Sequence, residues 1–482
     1  MTSVPRSLLA ASLFFFAGSL CARAQDKSGA EGAWANKKSA WALLSPEGRE
    51  QAISFAEDYK AYLNVSRSAL TSTRDLLRRA RAAGFADYTK PDQVKPGARL
   101  IFPNRDRSLI LAVIGSEPVT DGSRVVGTHQ DSPHIELKGR PILSTGDFAL
   151  FKTIYYGGIK KYQWANRPLA LIGRIDTPDG RTIDVSIGLS PGDPVFVIPD
   201  NAPHSDLDLR TRTYTEVFHG EKLEPVFGSL PGQDTSATVE VTKLLTDKYK
   251  IAEEDLVSAE LSLVPNASPA DVGLDRGLVG AYGQDDRLSS FCAARAILDL
   301  KGTPRYTALA YISNFEEVGS VNNTGASSQF LTNTFAQLVG AQRGNGYSDL
   351  DLRRALHHSL VISADTNDSI NPIFPDTSEA TNAARVGYGV AIKLYGPGFD
   401  APSEYVAQIR ALLDRNNIAW QTHTYKVVEG VGGGTIGLFM SQQDMQVIDL
   451  GVPLLSMHSP FEMSSKADLW DFYRTMSAFY AQ

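Results

Sequence analysis

Short apolar runs of strand length alternate with longer helical stretches through most of this chain, and that alternation constrains the fold more than any other feature. Leu109–Ile114, Val125–Gly127, Leu309–Ile312, Leu360–Ile362, Val447–Leu450 and Leu454–Met457 are the apolar runs. Arg287–Leu300, Pro402–Asn416 and Lys466–Ala478 are helical stretches that lie between or after them. Strands alternating with helices predict an α/β fold, a mixed sheet flanked by helices. Two more helices precede the first strand. Ser45-Pro46-Glu47 is a helix start, with a cap, a proline at the first position and an acid in the first turn. The second runs from Ser66 to Ala83 and stops at Gly84.

From about Gly139 to Ala270 the rhythm breaks. Thr177-Pro178-Asp179-Gly180 and Ser190-Pro191-Gly192-Asp193-Pro194 punctuate short β-branched runs, which favours β structure. At 482 residues the chain is also too long for one ordinary core, since domains average about 100–200 residues. Residues 139–270 therefore read as a β-rich domain inserted into an α/β domain formed by 25–138 and 271–482.

The N-terminus is of another kind. Arg6 precedes an apolar run from Leu8 to Leu20, and Ala22-Arg23-Ala24 supplies an A-x-A cleavage pattern, so residues 1–24 read as a secretory signal peptide. Residues 25–40 read as a disordered lead-in. Cleavage after Ala24 removes Arg6 and Arg23 and no acid, taking the formal net charge from -7 to -9. An acidic chain without long Lys/Arg runs argues against nucleic acid as a partner. No later stretch has the length and apolarity of a membrane span. Cys21 leaves with the signal, so Cys292 has no intramolecular disulfide partner. The expected location is periplasmic or secreted.

Five segments place a His, Asp or Glu at a strand end or helix start, the edge where open α/β sheets bind ligands. They are Gly127-Thr128-His129-Gln130-Asp131, Gly283-Gln284-Asp285-Asp286-Arg287, Asn314-Phe315-Glu316-Glu317, Ser363-Ala364-Asp365 and Ser456-Met457-His458. Any one alone also reads as a cap or turn residue. Together they fit a specific demand. Two divalent cations about 3.5–4 Å apart need a bridging carboxylate, and each needs an imidazole and a further carboxylate. A spare carboxylate is then needed to carry the proton of an activated water. His129, Asp285, Glu317, Asp365 and His458, with Glu316 spare, meet that count. Asp131 suits a partner that fixes the His129 ring, or the cap of a turn.

These segments, with Tyr155-Tyr156-Gly157-Gly158-Ile159-Lys160-Lys161-Tyr162-Gln163-Trp164, Gly432-Gly433-Gly434-Thr435 and His458-Ser459-Pro460-Phe461-Glu462, resemble the aspartyl aminopeptidase / aminopeptidase I family of metallopeptidases, and more closely its bacterial branch. The resemblance covers nearly all of the chain after residue 24. It implies an enzyme that removes the N-terminal residue from peptides, with two metal ions, usually zinc, sometimes cobalt or manganese. Asp285 would bridge them, His129 and Asp365 would complete one site, Glu317 and His458 the other, and Glu316 would be the general base. It also implies that the inserted domain serves dimerisation and that the chain forms a homo-oligomer, up to a dodecamer. The sequence departs from the family pattern at Gln284, Asn314, Asp368 and Asn371, none of them a proposed ligand. The rival readings are another two-metal hydrolase, such as a carboxypeptidase or amide deacylase, and a non-catalytic scaffold relative.

Overall fold

A nine-stranded mixed sheet forms the centre of the computed structural model, which describes residues 37–206, 209–395, 400–426 and 434–482. The signal peptide, nearly all of the lead-in, Gly432 and Gly433 lie outside those residues. Lys38–Gln482 forms one compact unit. Four neighbouring strands run parallel in the middle of the sheet, in the order Thr307–Ser313, Ser123–His129, Leu360–Ala364 and Gln446–Gly451. Antiparallel strands flank them, Ser108–Val113 on one side and Val390–Lys393 on the other.

The apolar runs are continuous because both sheet faces are covered. Leu109, Leu111 and Val113 enter one core, with helices Pro46–Val65, Gln284–Asp299 and Lys466–Tyr480. Ile110, Ala112 and Ile114 enter the other, with helices Phe330–Arg343 and Asp349–His357. This is the two-residue period of a strand read across two layers. Phe291 anchors the first core: Phe55, Tyr59 and Tyr62 pack around it with ring centroids 5.2, 5.3 and 5.2 Å away.

The second sheet has six strands, all antiparallel, drawn from residues 134–265 and the short strand Val226–Gly228. That stretch is not purely β. Helix Ala237–Tyr249 lies within it, capped by Ser236. A third sheet of five short strands joins Leu278–Ala281, Glu462–Ser465 and Pro453–Leu455. The helix expected from Ser66 begins later, at Ala69, because the Ser68 hydroxyl accepts from the N–H of Thr71. No helix among the described residues is long and apolar enough to cross a membrane.

Candidate metal centre

The parallel strands deliver their chemistry at one edge. Ser123–His129 ends on His129, Leu360–Ala364 is followed by Asp365, and Thr307–Ser313 leads into the turn Glu316–Val318. Gly127 lets the first of these strands pack closely, since a β-carbon there would lie 2.7 Å from Met440 Cε. Asp285 opens helix Gln284–Asp299, and His458 follows strand Pro453–Leu455. All seven sequence-predicted residues meet in one place. His129, Asp285, Glu316, Glu317, Asp365 and His458 line a cavity of about 540 Å³, and Asp131 stands directly behind His129.

Within the cluster His129 Nε2 is 3.6 Å from Asp285 Oδ1, 3.6 Å from Asp365 Oδ1 and 3.8 Å from Glu316 Oε2. His458 Nε2 is 3.0 Å from Asp285 Oδ2 and 3.5 Å from Glu317 Oε2. The two oxygens of Asp285 thus face different imidazoles. The far nitrogen of each ring is also held. His129 Nδ1 is 3.1 Å from the Asp131 carbonyl and 3.3 Å from its carboxylate, and His458 Nδ1 is 3.0 Å from the Gly158 carbonyl. Asp131 accepts three further hydrogen bonds, from the N–H groups of Glu316 (3.2 Å) and Glu317 (3.1 Å) and the Tyr156 hydroxyl (2.7 Å). It therefore both orients the imidazole and caps the turn that carries the paired glutamates.

The donor set fits metal ions. Asp285 Oδ1 and Glu317 Oε1 are buried with no hydrogen-bond partner, a costly state for carboxylate oxygens unless a cation meets them. His129 forms one close ligand group with Asp285 and Glu317 and another with Asp286 and Asp365. Charge is crowded here. Burial pushes Glu316 up to about 8, with Asp365, Asp131 and Asp285 adding to it against His129. Burial likewise raises Glu317 well above the ordinary carboxyl range. Burial opposes ionisation of Asp365, yet the Lys393 ammonium and His129 outweigh it and hold that carboxyl down at about 2.

Three further residues, outside the predicted set, surround the site. Asp286 is fully buried and accepts from the His129 N–H at 3.4 Å. Lys393 is drawn inward, its Nζ 3.3 Å from Asp365 Oδ2 and donating to the Thr366 carbonyl at 2.7 Å. Arg287 donates to the carbonyls of Gly283 and Ser66 and to Ser132 Oγ. The aromatic run divides as well: Trp164 is buried, Tyr155 and Tyr162 are exposed, and Tyr156 reaches the site.

A cluster of imidazoles and carboxylates at the carboxyl edge of parallel strands, with unpaired buried oxygens, fits a metal-dependent enzyme. The comparisons with known proteins agree. The model of the family Aminopeptidase I zinc metalloprotease (M18) matches residues 62–480. The chain is 38% identical over 456 residues to "Probable M18 family aminopeptidase 1" of Borrelia garinii subsp. bavariensis, spanning 92% of this chain and 100% of that one. It is 35% identical over 456 residues to the protein of the same name from Clostridium acetobutylicum, spanning 92% and 97%. The crystal structure of the M18-family aminopeptidase from Thermotoga maritima superposes with a TM-score of 0.86 at 35% identity, covering 92% of this chain and 99% of that one. The chain belongs to the aminopeptidase I (M18) family and is a zinc metalloaminopeptidase, a peptide-bond hydrolase.

Proposed function

We propose that this protein removes N-terminal residues from peptides at two divalent cations bridged by Asp285, with Glu316 as the general base. The observation that carries this reading is the division of Asp285, Oδ1 toward His129 and Oδ2 toward His458. His129 and Asp365 would hold one ion, Glu317 and His458 the other. Zinc is the expected metal, with cobalt or manganese as alternatives. Such a pair, when bound, lowers the pKa of water and polarises a carbonyl.

The protein's own part is positional. Glu316 shares the cavity with the ligand groups but is spare in the count, so its Oε2 is free to take a proton from the attacking water and pass it to the leaving amine. Asp131 keeps that carboxylate in place through the Glu316 N–H. Replacing Glu316 by Gln removes the base and leaves the ligands. Metal content, measured by mass spectrometry, should stay at the wild-type value while turnover falls about 100-fold or more. Retained turnover would overturn the base assignment.

We further propose export after cleavage behind Ala24 and self-association through residues 139–270. The export reading rests on the charged, apolar and A-x-A pattern of residues 1–24. Support for association is the exposed apolar surface of the six-stranded sheet, with Phe148, Ile154 and Tyr155 on one strand. A structure of the same fold from S. cerevisiae, 19% identical, is a dodecamer. N-terminal sequencing of the exported protein and its mass in solution test these two readings.

A further inference from the structure

Asp285 and His458 come from distant parts of the chain, yet Nε2 of one lies 3.0 Å from Oδ2 of the other. One side chain outside the predicted set ties their backbones together. Glu462 is 1% exposed and begins strand Glu462–Ser465, which pairs antiparallel with Leu278–Ala281. Its Oε2 accepts from the N–H groups of Gln284 (2.6 Å) and Asp285 (3.2 Å), and its Oε1 from the N–H of His458 (2.7 Å). The first two amides belong to the segment that leads into the helix, where Asp285 (φ -80°, ψ 110°) is not helical, so no helical carbonyl accepts from them. The third belongs to a residue at φ 60°, a left-handed conformation that is costly for any side chain other than glycine and needs support from its surroundings.

The link also runs in return. Gln284 Nε2 donates to the Glu462 carbonyl at 2.7 Å and to the Val279 carbonyl at 3.1 Å. Gln284 Oε1 accepts from the Ser464 hydroxyl at 2.6 Å. The strand that follows His458 and the strand that precedes Asp285 are therefore latched by side chain to backbone in both directions.

We propose that Glu462 is a positioning residue that sets the spacing of Asp285 and His458, and so builds the cation position these two share with Glu317. The position held by His129 and Asp365 also receives Asp285 but has supports of its own, Asp131 and Lys393. This inference rests on the two-cation reading above. A glutamine at 462 would turn an N–H donor toward amides that need an acceptor, leaving buried donors unpaired.

The test is titration of metal-free wild type, Glu462→Gln and Ser464→Ala with Zn(II) by calorimetry and with Co(II) by visible spectroscopy. Wild type takes up two cations per chain. Because Asp285 serves both positions, Glu462→Gln weakens both, the one shared with His458 by about 10–100-fold and the other by less. Ser464→Ala, which loosens Gln284 and leaves the carboxylate intact, weakens the position shared with His458 more than the other, in the same direction as Glu462→Gln and by less. That variant decides the matter if Glu462→Gln does not fold. Two wild-type affinities in Glu462→Gln, or equal weakening of both positions, would overturn the positioning role. A wild type that takes up a single cation would overturn the two-cation reading, and this inference with it.

Discussion

The Tyr156 hydroxyl donates to Asp131 Oδ2 at 2.7 Å, which joins the six-stranded sheet to the catalytic edge of the nine-stranded one. Two residues further on, the Gly158 carbonyl faces His458 Nδ1 at 3.0 Å. One short segment thus supports the imidazole on each side of Asp285. Tyr156 is itself held by the His134 ring, stacked 4.6 Å away at 21°. Tyr156→Phe keeps that stacking and removes the bond to Asp131. The expected result is a fall in kcat of up to about 10-fold with little change in KM, because Tyr156 supports Asp131, and direct partners of ligands such as Asp131 are worth about 10–100-fold. Unchanged kcat would show that Asp131 needs no support from the second sheet.

Gly157 sits at φ +72°, and a β-carbon there would lie 3.1 Å from Pro133 Cγ and 3.3 Å from Glu317 Cβ. Gly157→Ala therefore presses on Glu317 and strains its own backbone. Its activity should fall by more than that of Tyr156→Phe, with metal affinity reduced as well, as read by titration of the metal-free protein. A variant with wild-type affinity would contradict the contact.

Metal uptake should depend on pH in one direction. Burial pushes Glu316 up to about 8 and raises Glu317. Burial opposes charging of His458, but Asp285 and Glu317 outweigh it and bring the imidazole up to about 10; Asp131 and Asp365 likewise raise His129 against burial. Without metal, Glu316 and His458 hold protons near neutrality, and Glu317 and His129 are shifted toward their protonated forms. Ligation by Glu317, His129 and His458 requires that theirs be lost, so binding releases protons and affinity rises with pH. Calorimetry in buffers of different ionisation enthalpy, from about pH 6 to 8, should show proton release and tightening. Affinity that is flat or falls with pH would contradict this electrostatic picture.

Cys292 is fully buried, and burial raises its thiol well above the usual range. A native sample treated with iodoacetamide near neutral pH should stay unmodified at Cys292, whereas the unfolded chain should be labelled there, as read by peptide mass spectrometry. Labelling of the native state would contradict the packing of helix Gln284–Asp299.

The parallel strands were legible because strands covered on both faces are written as unbroken apolar runs, as in Leu109–Ile114. The ligand set was legible because each residue sits at the end of such a run, or at a helix start. Helix Ala237–Tyr249 was not, since turn-rich sequence surrounds it and only Leu245 and Ala237 are buried along it. Lys393 and Glu462 were missed for a different reason. A lone Lys or Glu is solvated by default, and nothing local reveals that Asp365 waits for one or three backbone N–H groups for the other. Arg287 is equally silent in sequence: neutral acceptors from remote segments, Ser66 and Ser132, take its donors.

The most direct measurement is hydrolysis of short peptides by the protein starting at Gln25, supplied with zinc, cobalt or manganese. The panel carries Asp, Glu, Leu or Lys at the N-terminus, with blocked counterparts. Aminopeptidase action predicts release of single N-terminal residues, lost on chelation and absent for the blocked peptides. Cleavage of blocked peptides, or no release from any free N-terminus, would contradict it and favour a deacylase, a carboxypeptidase or a scaffold role.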